Sequence, residues 1–67
     1  MLTRIYEITD IETNTANVPA SILVTVTGSA KFADFEMYWT ELVEAELRKH
    51  GIEAWNYSGH LLQETGK

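Results

Sequence analysis

The stretch SILVTVT, Ser21 to Thr27, decides the fold, because it is the clearest strand in the chain and leads directly into the clearest helix. β-branched residues dominate it, and such residues pack well on a pleated sheet. Successive side chains alternate between the two faces, so one face is apolar over Ile22, Val24 and Val26. A Gly-Ser pair then breaks the strand. The sequence therefore predicts a strand with one buried face, followed closely by a helix.

The segment after this break predicts a helix that ends at Gly51. Either Ser29 or Asp34 is suitable as its N-cap, since both side chains accept hydrogen bonds from the free amides of the first turn. Gly51 is suited to the left-handed residue that ends many helices, and Ile52 then folds back onto Leu47. At about 100° per residue, one broad stripe of the helix is apolar. Its members are Phe32, Phe35, Trp39, Leu42, Val43 and Leu47.

Two further segments predict strands. Leu2 to Ile11 is rich in Thr, Tyr and Ile, and Ile52 to Tyr57 forms a short third strand. We expect Ser58-Gly59 to break that third strand, with His60 to Gln63 as an extension beyond a bend. The tail, Glu64 to Lys67, is expected to fray.

The element order is strand, strand, helix, strand, which predicts one α+β domain over residues 1–67. The first two strands pair antiparallel, and a right-handed connection through the helix returns the third strand beside the first. The expected architecture is a three-stranded antiparallel sheet, order 2-1-3, packed on one α-helix (ββαβ). A chain of this size buries roughly 60% of its surface, so an isolated fold is marginal.

Composition excludes several functions. Ten Asp and Glu against five Lys and Arg give a net charge of −5, whereas phosphate backbones are bound mainly by Lys and Arg. There is no cysteine, hence no thiolate metal site. No signal peptide and no apolar run of membrane-spanning length is present. We therefore expect a cytoplasmic protein with no cofactor, no metal, no direct nucleic-acid contact and no membrane partner.

One helix covers only one side of three strands, so the other sheet face is left open. The predicted alternation places four large apolar side chains on that open face: Ile5, Leu23, Trp55 and Tyr57. A patch of this kind is typical of a binding surface or a dimer interface. A register shift of one residue would exchange the two faces and bury Trp55 instead. The sequence leaves both alternatives open.

Two further patterns can be read as chemical sites. Three strand aromatics offer stacking surfaces of the kind RNA-recognition modules use: Tyr6, Trp55 and Tyr57. Only Arg4 lies near them for phosphates, which disfavours that interpretation. Glu46 and His50, four residues apart on the helix, can form an acid–base pair or share a metal. A functional site normally needs a third ligand, and His60 is the only remaining histidine, so a structural pair at the core edge is favoured.

The acidic helix face gives the leading functional hypothesis. Glu41 and Glu44 are expected on the solvent side together with Met37 and Arg48, with Asp34 toward one flank. Most such faces are simply solvated, but carboxylates around an adaptable apolar side chain also complement a basic groove on a partner. The sequence therefore predicts a non-enzymatic protein-binding module that inhibits or modulates a host enzyme, one that handles nucleic acid being the preferred case. Its partner-binding residues would be the helix set or the sheet pair Trp55 and Tyr57.

In size, acidity and order of elements the chain resembles the small proteins that phages and mobile elements encode to block host enzymes. The resemblance is one of gross shape and assigns no role to any residue. The alternative function is a structural homo-oligomer or accessory subunit that buries its open sheet face.

Overall fold

The fold is a three-stranded antiparallel sheet in the order β2-β1-β3, with one helix packed on one face. A computed structural model describes residues 1–66 of the chain. Its elements are β1 (Leu2–Thr13), β2 (Ser21–Gly28), a 3-10 turn (Ala30–Phe32), α1 (Glu36–Lys49) and β3 (Ala54–Gly66). The predicted ββαβ order, α+β class and 2-1-3 sheet are confirmed.

The core lies between the helix and the inner face of β1 and β2. In the register of these strands Tyr6 lies opposite Val24, and Ile8 lies opposite Ile22. Val24 is buried and its neighbour Leu23 is exposed, so the predicted faces of β2 are correct. The buried core residues are Ile8, Val24, Val26, Trp39, Val43, Leu47 and Ile52.

The helix begins later than the sequence predicted. Ser29 caps the short 3-10 turn, where its hydroxyl accepts from the amide of Lys31, and it does not cap α1. Phe35 occupies the N-cap position of α1 without a side-chain hydrogen bond, so Asp34 is not the cap either. Ser29 therefore caps the 3-10 turn, and the backbone becomes extended again at Phe35 before α1 begins.

The helix ends as predicted. Gly51 has a φ of 77°, in the left-handed region that favours glycine. Its amide donates to the carbonyl of Arg48 at 2.9 Å, and the amide of Ile52 donates to the carbonyl of Leu47 at 3.0 Å. This is the hydrogen-bond pattern of a Schellman ending. Both Ile52 and Leu47 are buried, so the turn also contributes to the core.

Strand β3 is longer than predicted. It runs without interruption through Ser58 and Gly59, and Glu64 to Gly66 pair with the start of β1 instead of fraying. The twelve-residue β1 is a template on which these weakly strand-forming residues pair, which explains both errors. Lys67, the last residue of the predicted frayed tail, lies outside the described residues.

Three irregularities interrupt the regular pairing of β3 with β1: two extra residues in β3, and one extra residue in β1 between Thr9 and Glu12. Ile5 lies opposite Gln63 and Tyr6 opposite Leu61, which leaves Leu62 unpaired as a bulge. In the same way Trp55 is the extra residue between the paired Ala54 and Asn56. A bulge shifts the alternation of side chains by one residue beyond it.

Candidate functional site

The three helix residues singled out by the sequence lie on one side of α1. Met37, Glu41 and Glu44 are spaced by four and three residues, which places them on adjacent turns of the same surface. We call these three residues the acidic strip. Met37 is 76% exposed, Glu41 is exposed and Glu44 is half-buried. The prediction that they share a helix face is confirmed in position, although Glu44 is less open to solvent than expected.

Glu44 is half-buried because it meets Tyr57 of β3. The phenolic O–H of Tyr57 donates to Oε2 of Glu44 at 3.4 Å, and the ring packs against the core. Tyr57 therefore lies on the helix side of the sheet, and its predicted place on the open face is wrong. The bulge at Trp55 is the physical reason, since it reverses the alternation between Ala54 and Tyr57. Burial first, and the Glu44 carboxylate second, raise the pKa of Tyr57 to about 12.

Trp55 is exposed as predicted but lies away from the acidic strip. It is 63% exposed, and its indole N–H donates to Oε2 of Glu12 at 3.2 Å. This contact lies where the end of β1 pairs with the start of β3. Met37 lies in the first turn of α1, which comes after the end of β2 and so follows the opposite end of the sheet. The structure thus brings Met37, Glu41, Glu44 and Tyr57 to one region and leaves Trp55 outside it.

A groove runs beside the acidic strip, between α1 and β3. The helix packs over β2, at one edge of the sheet, so it leaves the inner side of β3 uncovered. The resulting cavity has a volume of about 450 Å³ and is open to solvent. Glu36 and Thr40 line it from the helix, and Gly59 and Leu61 line it from β3. The groove could not be predicted from the sequence, because the strand and helix patterns do not show over which strand the helix packs.

Arg4 lines this groove, but its guanidinium already forms an ion pair with Glu64. Its guanidinium carbon lies 4.1 Å from the centroid of the Trp39 ring. Its Nε donates to Glu64 at 2.5 Å and its Nη1 donates to the hydroxyl of Tyr6 at 3.0 Å. Burial acts to lower the pKa of Arg4, yet the hydrogen bonds to Tyr6 and Glu64 outweigh it and the net shift is upward. Among residues 1–66, the lining of the groove therefore offers no free cation for an anionic ligand.

Two carboxylates of α1 take part in no ion pair within the described part of the chain. Within residues 1–66 the ion pairs are Arg4–Glu64 and Lys49–Glu46, so neither Glu36 nor Glu41 has a cationic partner. Glu36 is a candidate site residue that was not predicted from the sequence. It lies in the first turn of α1, where the helix dipole alone already favours a carboxylate, so its position gave no separate signal.

The pair Glu46 and His50 does not form in the structure. Glu46 binds Lys49 at 3.0 Å, and His50 is exposed in the helix C-cap position. The described part of the chain holds no group of three or more His, Cys, Asp or Glu side chains arranged for a metal ion. No helix within residues 1–66 is both long and apolar enough to cross a lipid bilayer.

Comparison of the chain with protein families, with characterised proteins and with solved structures finds no match. Its function has to be inferred from its own surface. The most distinctive part of that surface is the acidic strip, together with Glu36 and the groove beside it. It combines carboxylates without an ion pair in residues 1–66, an exposed methionine and an adjacent groove.

Proposed function

We propose that this chain is a non-enzymatic protein-binding module that docks its acidic strip on a basic surface of a partner protein. One observation carries the proposal: Met37 is 76% exposed and is flanked by Glu36 and Glu41, which have no ion-pair partner within residues 1–66. An exposed apolar side chain gains free energy when a partner buries it. Unpaired carboxylates around it attract a cationic surface and align it before contact.

The contact between Glu44 and Tyr57 adds to this argument. Tyr57 holds the carboxylate of Glu44 at a fixed place on the strip, so less side-chain freedom is lost on binding. With a pKa of about 12, Tyr57 stays neutral at physiological pH and remains a hydrogen-bond donor. The strip is therefore partly ordered before a partner arrives.

The groove extends the surface that a partner can use. Leu61 is exposed on its β3 wall, and the cavity of about 450 Å³ accommodates one or two large side chains. A partner residue inserted there would lie beside Glu36 and Thr40 of the helix wall. Binding energy in interfaces concentrates in such buried anchors, while the surrounding charges set orientation and specificity.

The preferred partner is an enzyme that handles nucleic acid. The surfaces of these enzymes that hold phosphate backbones are rich in Lys and Arg, which is the complement of the acidic strip. Occupying such a surface excludes the nucleic acid and inhibits or modulates the enzyme. The likeness in size, acidity and element order to small phage and mobile-element inhibitors is consistent with this role.

The proposal is tested by photo-crosslinking from the helix wall of the groove, directly beside the acidic strip. A photoreactive amino acid replaces the exposed Thr40, and the protein is irradiated in an extract of the organism that encodes it. We expect an adduct that disappears in the Glu36→Lys/Glu41→Lys variant. It should persist in a control with the same number of charge reversals elsewhere, Glu7→Lys/Glu53→Lys.

The identity of the crosslinked protein decides the finer proposal. If it is an enzyme that handles nucleic acid, the purified chain should compete with nucleic acid for it, and the double Lys variant should not. An adduct that survives the helix charge reversal, or that the control abolishes equally, contradicts docking through the acidic strip.

A structural homo-oligomer or accessory subunit that buries the open sheet face is the second candidate. Exposed Leu23 favours it, because it lies on that face beside the central strand residues Ile5 and Glu7. Ile5→Lys places a charge in the middle of this face and should dissociate such an assembly. Far-ultraviolet circular dichroism should remain unchanged, as a control for folding.

A further inference from the structure

We propose that two copies of this chain pair through the free edge of β2 and form a symmetric dimer with a continuous six-stranded sheet. The proposal rests on two neighbouring features. The edge strand Ser21–Gly28 is regular and uncharged, and it lies beneath the apolar flank of α1 that carries Phe35 and Leu42. This inference is independent of the acidic strip, which lies on another side of the helix.

The free edge of β2 is unprotected. On one side β2 pairs with β1 over eight consecutive residues without a register break, and on the other side its backbone groups have no strand partner within residues 1–66. Natural edge strands are usually blocked by charged side chains, proline or bulges. The segment SILVTVTG contains none of these. It is therefore a ready template for another strand.

The opposite edge of the sheet is different. Strand β3 carries two bulged residues, Trp55 and Leu62, which interrupt its pairing with β1. Bulges twist an edge and oppose the addition of another strand. Of the two edges, β2 is the one whose geometry admits a regular partner.

The helix adds an apolar surface above the same edge. Glu44 faces β3 through its contact with Tyr57. Leu42 lies about 160° around the helix from Glu44, at 100° per residue, so it faces the free edge of β2. Phe35 is on the same flank and is 58% exposed. A second copy related by a two-fold axis brings the same flank alongside and buries these side chains against their own counterparts.

Charge identifies the partner as a second copy. A chain with a net charge of −5 repels itself over most of its surface. Strand β2 has no charged residue, and on the flank above it Glu46 is already neutralised by Lys49. Two copies can therefore approach along β2 itself without opposing carboxylates, whereas Asp34, next to Phe35, is exposed and has no ion pair within residues 1–66. Identical antiparallel strands also close the assembly at two subunits, and the acidic strip stays accessible on both.

The experiment exploits a matched pair of substitutions. Ile5 in the central strand lies opposite Thr25 of β2 on one side and opposite Gln63 of β3 on the other. Thr25 and Gln63 are both exposed. Thr25→Lys places two ammonium groups close together near the centre of the proposed β2–β2 pair, whereas Gln63→Lys makes the same type of change at the other edge.

Sedimentation equilibrium of the wild-type chain should give a mass twice the 7.6 kDa of one copy. Thr25→Lys should raise the dimer dissociation constant by at least about tenfold, because apposed like charges cost a kilocalorie or more per mole. Gln63→Lys and Ile5→Lys should leave it within about twofold. Hydrogen exchange at the outward amides of β2 should slow as the wild-type concentration rises.

Three results would overturn the proposal. A wild-type chain that stays monomeric up to millimolar concentration excludes a dimer. Dissociation by Gln63→Lys but not by Thr25→Lys assigns pairing to β3, and dissociation by Ile5→Lys alone assigns it to the open face. If Thr25→Lys proves misfolded by circular dichroism, the concentration dependence of β2 amide exchange in the wild-type chain decides the question.

Discussion

The phenolic O–H of Tyr57 lies 3.4 Å from Oε2 of Glu44, and this contact joins the third strand to the helix across the groove. It fixes one end of the acidic strip. It also shows that β3 presents Tyr57 to the core side, with Trp55 pointing to solvent two residues earlier. The proposed docking surface and the packing of β3 therefore depend on the same pair of residues.

This pair predicts a loss of stability at high pH. Burial and Glu44 raise the pKa of Tyr57 from 10.0 to about 12 in the folded state. Between these values the folded chain keeps the phenolic proton that the unfolded chain releases. The free energy of unfolding contributed by Tyr57 is then full below pH 10.0 and is lost as the pH rises towards about 12.

The measurement is a phenolate absorbance titration combined with urea unfolding at several pH values. Glu44→Gln removes the charge that opposes ionisation, so the Tyr57 midpoint should move down, while the contribution of burial remains. Tyr57→Phe should abolish the high-midpoint component. A wild-type chain whose three tyrosines all titrate at the ordinary value would contradict the contact.

The left-handed conformation of Gly51 at the helix end predicts that alanine there lowers the free energy of unfolding, whereas alanine at Gly59 in β3 does not. Gly51→Ala forces a side chain into a φ of 77° and should lower the free energy of unfolding by about 1–2 kcal/mol. Gly59→Ala is the control: Gly59 has no positive φ, and an added Cβ meets only Ile8 Cδ1, at 3.6 Å. It should be neutral or raise stability by roughly 0.4–1 kcal/mol. Equal losses in the two variants would contradict the left-handed ending, and urea midpoints decide between them.

Arg4 is expected to stabilise the end of the sheet at which β1 begins and β3 ends. Its side chain is only 15% exposed, stacks on Trp39 and pairs with Glu64. Lysine keeps the charge but loses the planar stacking and the guanidinium fork. Arg4→Lys should therefore destabilise the chain by about 1–2 kcal/mol and speed amide exchange near Glu64.

The control for this prediction is Arg48→Lys. Arg48 is exposed and makes no ion pair within residues 1–66, so stability should change by less than about 0.5 kcal/mol. An Arg4→Lys variant as stable as this control would show that the stack on Trp39 contributes nothing to folding.

The order of elements and the sheet topology were predictable because strong local signals agree with each other. Val24 and Val26 alternate with polar residues, and Gly51 with Ile52 marks the helix end. Right-handed connection then leaves few topologies for such a short chain. The structure confirms the element order, the 2-1-3 sheet and the left-handed Gly51 that ends the helix.

The errors come from interactions between distant parts of the chain. No local signal marks the bulge at Trp55, which turns Tyr57 from the open face to the core. The pairing of Glu64 depends on the length of β1, 60 residues earlier. The groove exists because the helix settles over an edge strand. The acidic strip was predictable from helical spacing alone, but its pairing with Tyr57 was not.

The acidic strip predicts that its two kinds of residue affect binding kinetics differently. Once the partner is identified by crosslinking, Glu41→Gln should mainly lower the association rate and reduce its salt dependence, because an exposed unpaired charge acts by steering. Met37→Ala should mainly raise the dissociation rate, since it removes the side chain that the partner buries. Glu53→Gln, an exposed carboxylate outside the strip, is the control and should change neither rate. Surface plasmon resonance at two salt concentrations separates these effects. If Met37→Ala leaves the dissociation rate unchanged while Glu53→Gln slows association as much as Glu41→Gln, the partner senses only the overall charge of the chain, and the strip is not the docking site.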